Sequence, residues 1–529
     1  MSSLTDATSD PPTGSTGVVT DVPQTKGPRQ TLTLVAVLLA VFVVPTSISG
    51  TGVALPSIAT DLHAGPGPVQ WVANAFNVAF ACFTLVWGSV ADIIGRVKAF
   101  ALGAAVYTVA SIGSVFAANI HLLDVARAFA GLGGAAIFAC GSAILSTVFS
   151  GPARAKAFAL FGTVAGIGIS AGPSIAGALV QSVGWRWVFV LHAVALAVVL
   201  ALVPVISRNV QEERREGARI DVPGSIVFVV AMFLLTCGIV QGSQWGWGSA
   251  GVLGLFAGSI VSLVVFTAVE KRREQPMLDL ALLANRRFLA LCLVPIAGSF
   301  GFVTMLTYLP SYLTAAGGHG TGTAGLIMIL LTAPMLICPL LAAKLVSRGI
   351  PAMRIIYVSI VCLVVGDLGL LLFTPDVSVL VVALPMLVTG AGMALAAGLV
   401  DGEALEMVAP EQAGMAAGFL NTLRLGSEAI AVAVYASLLA TTVSSKIDEG
   451  IQAYPYDGST ARLAGDVSVG DISGQTAQVP ADRQSGFTDF LVDTYDSAFH
   501  QVLWILAAVC LVLLVVIAAM LRRPHARQA

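Results

Sequence analysis

Apolar stretches of roughly twenty residues recur along the chain with short polar breaks between them, each long enough to cross the ~30 Å hydrocarbon core of a bilayer as a helix. They fall near residues 32–55, 69–91, 98–118, 122–147, 155–181, 187–206, 222–241, 250–269, 288–315, 322–343, 353–374, 377–399, 412–442 and 498–521. The pattern predicts an all-α integral membrane protein with about fourteen spans. Two regions break it. Residues 1–30 are rich in Ser, Thr, Pro, Asp and Gly and have no apolar run, so they read as a disordered cytoplasmic tail and not as a signal peptide. Residues 444–496 carry nine acids among Gly, Ser and Gln and read as an outer loop with little fixed structure.

Composition agrees: 57% of residues are hydrophobic and 11% charged, against roughly 25% charged in soluble domains. The basic residues set the orientation. With the N-terminus inside, 21 of the 27 Lys and Arg lie on the inner side and four (Arg186, Lys446, Arg462, Arg483) outside, while Arg127 and Arg424 fall within spans. This positive-inside bias favours an even number of spans with both termini cytoplasmic. All seven cysteines lie inside spans without metal-ligand spacing, and no phosphate loop, nucleophile elbow or zinc motif occurs. No enzymatic chemistry, cofactor, metal or nucleic-acid partner is expected, and any work done must draw on an ion gradient.

Between the second and third runs lies Gly88-Ser-Val-Ala-Asp92-Ile-Ile-Gly95-Arg96-Val-Lys98. An aspartate at the C-terminal end of a helix faces the negative pole of the helix dipole and needs cationic or N–H partners. Gly88 and Gly95 permit close helix approach and a tight turn. In the fifth run, Gly168, Gly172 and Ala176 recur on one helix face beside Pro173 and Gly177, forming a small-residue strip with a bend point.

The first segment resembles the signature loop of the major facilitator superfamily, with Ile93 and Val97 in place of two basic residues. The second resembles the antiporter motif of that superfamily, with Ala176 for one glycine. Val53-Ala-Leu-Pro56, Gln70-Trp-Val72, Trp185-Arg-Trp-Val-Phe189, Trp245-Gly-Trp247 and Gly418-Phe-Leu-Asn421-Thr-Leu-Arg424 occur in the order found in its fourteen-span drug:proton antiporters. The resemblance implies two six-helix bundles at 31–206 and 287–521 with two inserted spans at 207–286 and a short cytoplasmic C-terminus at 522–529. It implies a cargo site between the bundles reached alternately from each side, in a bacterial cytoplasmic membrane, with protons and a small molecule as partners; the sequence does not fix the oligomeric state, and a monomer is expected.

Ionisable groups at membrane depth are functional candidates by default. Glu428 follows Arg424 by four residues on one helix face, where burial and the neighbouring cation act on its protonation in opposite directions, making it the first candidate for proton coupling. Arg127 matches the family's fourth-span arginine, although Ala130 replaces the usual glutamine; the alternative is an edge pair with Asp124. Asp367 is a further coupling candidate on a supporting helix, and His192 reads as a packed, hydrogen-bonded residue. Asp401, Glu403 and Glu406 form an inner acidic cluster without a neighbouring base in sequence, either solvated or a gate contact to another inner loop. Gly88, Asp92, Gly95 and Arg96 are assigned to a conformational gate. Ser47 stands where the subfamily carries a first-span aspartate, which places it with Asn421 in the expected cargo cavity and argues against strongly cationic cargo. Ser347 replaces the aspartate in the duplicated loop of the second half, so the two halves are expected to lock unequally. Export of a neutral or weakly charged amphipathic drug or metabolite leads. The alternatives are uptake of a nutrient or peptide and a non-transporting sensor.

Overall fold

The computed structural model describes residues 28–208, 210, 220–274, 276–468 and 470–522. The tails expected at 1–30 and 522–529 lie outside these, apart from residues 28–30 and 522. Among the described residues, fourteen helices are long and apolar enough to cross a membrane: α1 (Arg29–Asp61), α2 (Pro68–Ile94), α3 (Arg96–Val115), α4 (Ile120–Val148), α5 (Gly151–Ser182), α6 (Arg186–Ser207), α7 (Val222–Gly242), α8 (Ala250–Glu270), α9 (Arg286–Ala315), α10 (Thr323–Ser347), α11 (Ala352–Leu370), α12 (Val379–Leu405), α13 (Pro410–Ala453) and α14 (Gln484–Leu521). Each overlaps one apolar run of the sequence.

The helices α1–α6 pack on one another, as do α9–α14, and the two sets meet where α2 crosses α13 and α5 crosses α10. The pair α7–α8 packs on itself and leans on α2 and α13. Ile260, Val261 and Val264 of α8 are exposed, as are Leu511, Val512 and Val515 of α14; these apolar faces suit lipid contact.

Small residues decide how closely the sets approach. A Cβ on Gly88 would strike the Gly414 carbonyl, and one on Gly418 would come within 2.7 Å of the Thr84 carbonyl, so α2 and α13 touch backbone to backbone. The glycine strip of α5 faces α1: a Cβ at Gly168 would lie 2.9 Å from the Phe42 carbonyl, and one at Gly172 3.1 Å from that of Thr46. The hydroxyl of Ser49 reaches the Gly168 carbonyl at 3.4 Å.

Three interruptions are absent from the apolar pattern. Within α9, Ser299–Val303 form a π turn. Helix α10 is interrupted at Ala333, just before Pro334. Helix α12 breaks at Ala397–Gly398, where Gly398 has φ 78° and presses on the Phe158 carbonyl, so that glycine alone fits.

The outer segment differs from expectation. The α-helical part of α13, Ala413–Gly450, has 38 residues and is roughly 57 Å long at ~1.5 Å per residue, well beyond the hydrocarbon core. It and α14 are joined through helices Thr460–Ser468 and Ile472–Thr476. Leu463, Val467, Ile472 and Phe487 are buried there. Residues 444–496 are therefore not a loose tether: a few apolar residues at helical spacing, diluted by polar ones, suffice to pack a cap on two projecting helices.

Candidate transport cavity and inner gate

The C-terminal ends of α2 and α4 and the N-terminal ends of α3 and α13 meet around Asp92 and Arg96. Asp92 Oδ1 accepts the Gly414 N–H at 2.9 Å and its Oδ2 the Met415 N–H at 2.8 Å. An acid at the C-terminal end of α2 thus finds its donors at the N-terminus of α13, where unpaired N–H groups and the helix dipole favour an anion. Arg96 lies 3.7 Å from Asp92 and donates to the Pro410 carbonyl and the Thr147 hydroxyl. Gly95 turns the chain between α2 and α3 with φ 99°. Asp92 and Arg96 are 6% and 5% exposed, so the two helix sets are joined through a buried charge. At the corresponding place in the second half, the Ser347 hydroxyl turns back to the Lys344 carbonyl of its own helix.

The expected inner acidic cluster proves to be three separate pairs. Glu403 meets Arg287 of α9 and Glu406 meets Arg154 of α5, both at 3.1 Å. Asp401 is buried and takes Arg424 Nη2 on both oxygens at 3.0 and 2.9 Å. The break at Gly398 is what turns the short helix Leu399–Leu405 so that its first-turn acid reaches α13. Sequence reading gave Arg424 to Glu428, whereas Asp401 takes it. The signal was a glycine and an acid three residues apart closing an apolar run, but the 23-residue gap to Arg424 hid the partner.

Between the helix sets lies a cavity of about 170 Å³. Phe80, Phe138 and Phe161 wall it from one set, and Met335, Leu363 and Met393 from the other. Asp401, Arg424 and Glu428 form its charged edge. Glu428 makes no ion pair among the described residues, so it is the carboxyl in this edge left open to the cavity. The volume is below the ~300–1,000 Å³ of sites that bury drug-sized ligands, so a larger cargo requires the walls to part.

Ser47 and Asn421 are not in this wall. Ser47 is fully buried inside the first helix set, its Oγ 2.8 Å from Arg127 Nη1. Arg127 also donates to the Val72 carbonyl at 3.0 Å and stacks on Phe76 at 4.5 Å. It lies inside the bundle and not at an edge pair with Asp124. The helix face of an all-round apolar span cannot be read from sequence, which is why Ser47 was placed wrongly. Ser47, which faces Arg127 and not the cavity, therefore sets no limit on the charge of the cargo. Asn421 is 3% exposed; it donates to the Ala417 carbonyl and accepts Arg424 Nη1 at 3.0 Å, so it positions the arginine. His192 is buried against Tyr107 and Phe189 as expected, but neither ring nitrogen has a hydrogen-bond partner among the described residues. Asp367 is buried and is not among the residues that line the cavity, although Leu363 of the same helix is.

The family model of the Major Facilitator Superfamily matches residues 37–432. The multidrug resistance protein Stp of Mycobacterium tuberculosis is 30% identical over 426 residues, covering 80% of this chain and 78% of that protein. The puromycin resistance protein pur8 of Streptomyces alboniger is 30% identical over 420 residues, covering 77% and 81%. Among solved structures, the human organic anion transporter MFSD10 (TETRAN) superposes with a TM-score of 0.56 at 14% identity over 89% of this chain and 99% of that one.

Proposed function

The chain belongs to the Major Facilitator Superfamily, and we propose that it is a proton-coupled efflux transporter exporting a drug, antibiotic or amphipathic metabolite across the bacterial cytoplasmic membrane, with both termini cytoplasmic. The observation that carries this reading is an apolar, aromatic-lined cavity between two helix sets whose one open carboxyl, Glu428, stands beside an arginine held by a second acid. The drug-resistance relatives support the direction and kind of cargo.

In this mechanism Arg424 is shared. When Glu428 is ionised it competes with Asp401 for the guanidinium; when a proton from outside neutralises it, Arg424 stays with Asp401 alone. Arg424 bridges the Leu399–Leu405 segment of α12 and α13, so its position biases which end of the cavity is open. A proton biases that switch only by its different affinity for the two states. Asp92 is the inner latch, reinforced by the Arg287–Glu403 and Arg154–Glu406 pairs. With these closed, cargo in the cavity does not exchange with the cytoplasm. The carboxyls at the edge make amphipathic cations acceptable cargo alongside neutral compounds, because a cation entering a low-dielectric cavity needs a countercharge.

Everted vesicles energised with a proton gradient test the direction. Export predicts accumulation of labelled puromycin inside them, abolished by an uncoupler. Loss of preloaded puromycin on energisation points to uptake, and no movement with any of a panel of amphipathic drugs points to a sensor.

A further inference from the structure

Asp367 in α11 is 1% exposed, and neither of its carboxyl oxygens has a hydrogen-bond partner among the described residues. The thiol of Cys510 on α14 lies against it but is turned to the Ala297 carbonyl at 3.6 Å. Both meet α9 at Gly301: a Cβ there would be 2.8 Å from Asp367 Oδ2 and 3.4 Å from Cys510 Sγ. The π turn Ser299–Val303 and the Val379–Ala396 part of α12 bring no ionisable side chain, and Cys510 is the titratable group that α14 brings to it. The charged residues of α9 and of the Leu399–Leu405 segment of α12, namely Arg286, Arg287, Asp401 and Glu403, lie toward the proposed inner end, three of them in ion pairs. An ionised carboxylate with no countercharge at this depth is costly, whereas a neutral one holding a proton is tolerated.

The carboxyl is one layer from the cavity. Leu363, a turn before Asp367, and Gly298, beside the π turn, both line the cavity wall. A π turn is a wide, easily shifted piece of helix, often found at functional sites. Ser299 at its start shares a 2.8 Å hydrogen bond with Ser427, the neighbour of Glu428. A change at Asp367 therefore has a packed route to the charged edge: Gly301, the π turn, Ser299, Ser427.

We propose that Asp367 is a second proton-binding carboxyl of this transporter, loaded and emptied through the cavity across the π turn Ser299–Val303. On loading, a proton from cavity water forms an O–H bond on a carboxyl oxygen of Asp367. On emptying, that bond breaks, the proton returns to water, and the carboxylate draws N–H donors or water through a shifted turn. Each cycle then moves one proton at Asp367 besides the one at Glu428. This rests on the export reading for its use, but not for the binding itself.

The full-length protein in lipid gives two readouts. In infrared spectra, Asp367→Asn removes one protonated-carboxyl C=O band, and Glu428→Gln removes a different one. In proteoliposomes with puromycin as probe, Asp367→Asn halves the protons exchanged per drug. Retention of every band, or an unchanged ratio, overturns the proposal. If Asp367→Asn does not fold, Cys510→Ser decides: its stronger donor shifts the Asp367 band, and no shift overturns the proposal. If the wild type moves puromycin without protons, the export reading fails and the infrared band alone decides Asp367.

Discussion

Replacing Asp92 with Ala removes two charge-assisted hydrogen bonds, to the N–H groups of Gly414 and Met415 at 2.9 and 2.8 Å. Bonds of this class contribute about 1.5–3 kcal/mol each. The loss also leaves Arg96, 5% exposed, without the carboxylate 3.7 Å away. Two terms reduce the sum. Water reaches these groups once the inner end opens, so the open state recovers part of the energy, and the Arg287–Glu403 and Arg154–Glu406 pairs still hold. A net shift of about 3 kcal/mol towards the inward-open state is expected, roughly a hundredfold in population. Asp92→Asn, which can accept through one oxygen only, should shift the balance by about half that energy. Spin labels at positions 156 and 409, both exposed on opposite helix sets, in a background without the native cysteines, report the inner separation by pulsed electron resonance. The wild type should show a dominant short distance and Asp92→Ala a dominant long one. Distance distributions that match within error would refute the latch.

Ser47→Asp should place a carboxylate on Arg127, a buried cation whose contacts are a carbonyl, a hydroxyl and rings. Because that cation is already buried, the new partner compensates it, so Tm rises while the range of drugs exported stays the same; a changed drug range with no rise in Tm would return Ser47 to the cavity. Gly398→Ala combines a positive φ costing about 1–2 kcal/mol with a Cβ against the Phe158 carbonyl. Thermal melting should show a lower Tm and vesicle assays weaker efflux, and an unchanged Tm would show that the break is not glycine-dependent. Asn421→Ala should leave drug binding intact but weaken coupling, since it removes one of the two side chains that hold Arg424 and is not itself in the cavity wall; a loss of drug affinity alone would put Asn421 back among the cargo contacts.

The fourteen spans were legible because lipid demands long apolar helices whatever their partners. The Gly88–Lys98 hinge was legible because its glycines and charges stand out against apolar surroundings. What stayed hidden were choices among partners. Glu428 is nearer to Arg424 in sequence than Asp401 is, yet the break at Gly398 delivers Asp401 to the guanidinium. Which way Ser47 faces depends on the rotation of a helix that is apolar on every side. The π turn at Ser299–Val303 has no composition of its own, because it records how α9 packs on α11, α13 and α14. The outer cap escaped because its buried residues are few and widely spaced among acids.

The coupling of cargo to protons at Glu428 is tested most directly in everted vesicles whose lumen has been acidified. Adding puromycin should cause an immediate, drug-dependent rise in luminal pH, and Glu428→Gln should abolish that rise while still binding the drug, because without titration at Glu428 the Arg424 switch does not turn over and no other site can cycle its proton. A drug-dependent rise of wild-type size in Glu428→Gln would contradict the assignment, and a further fall in luminal pH on adding the drug would contradict export itself.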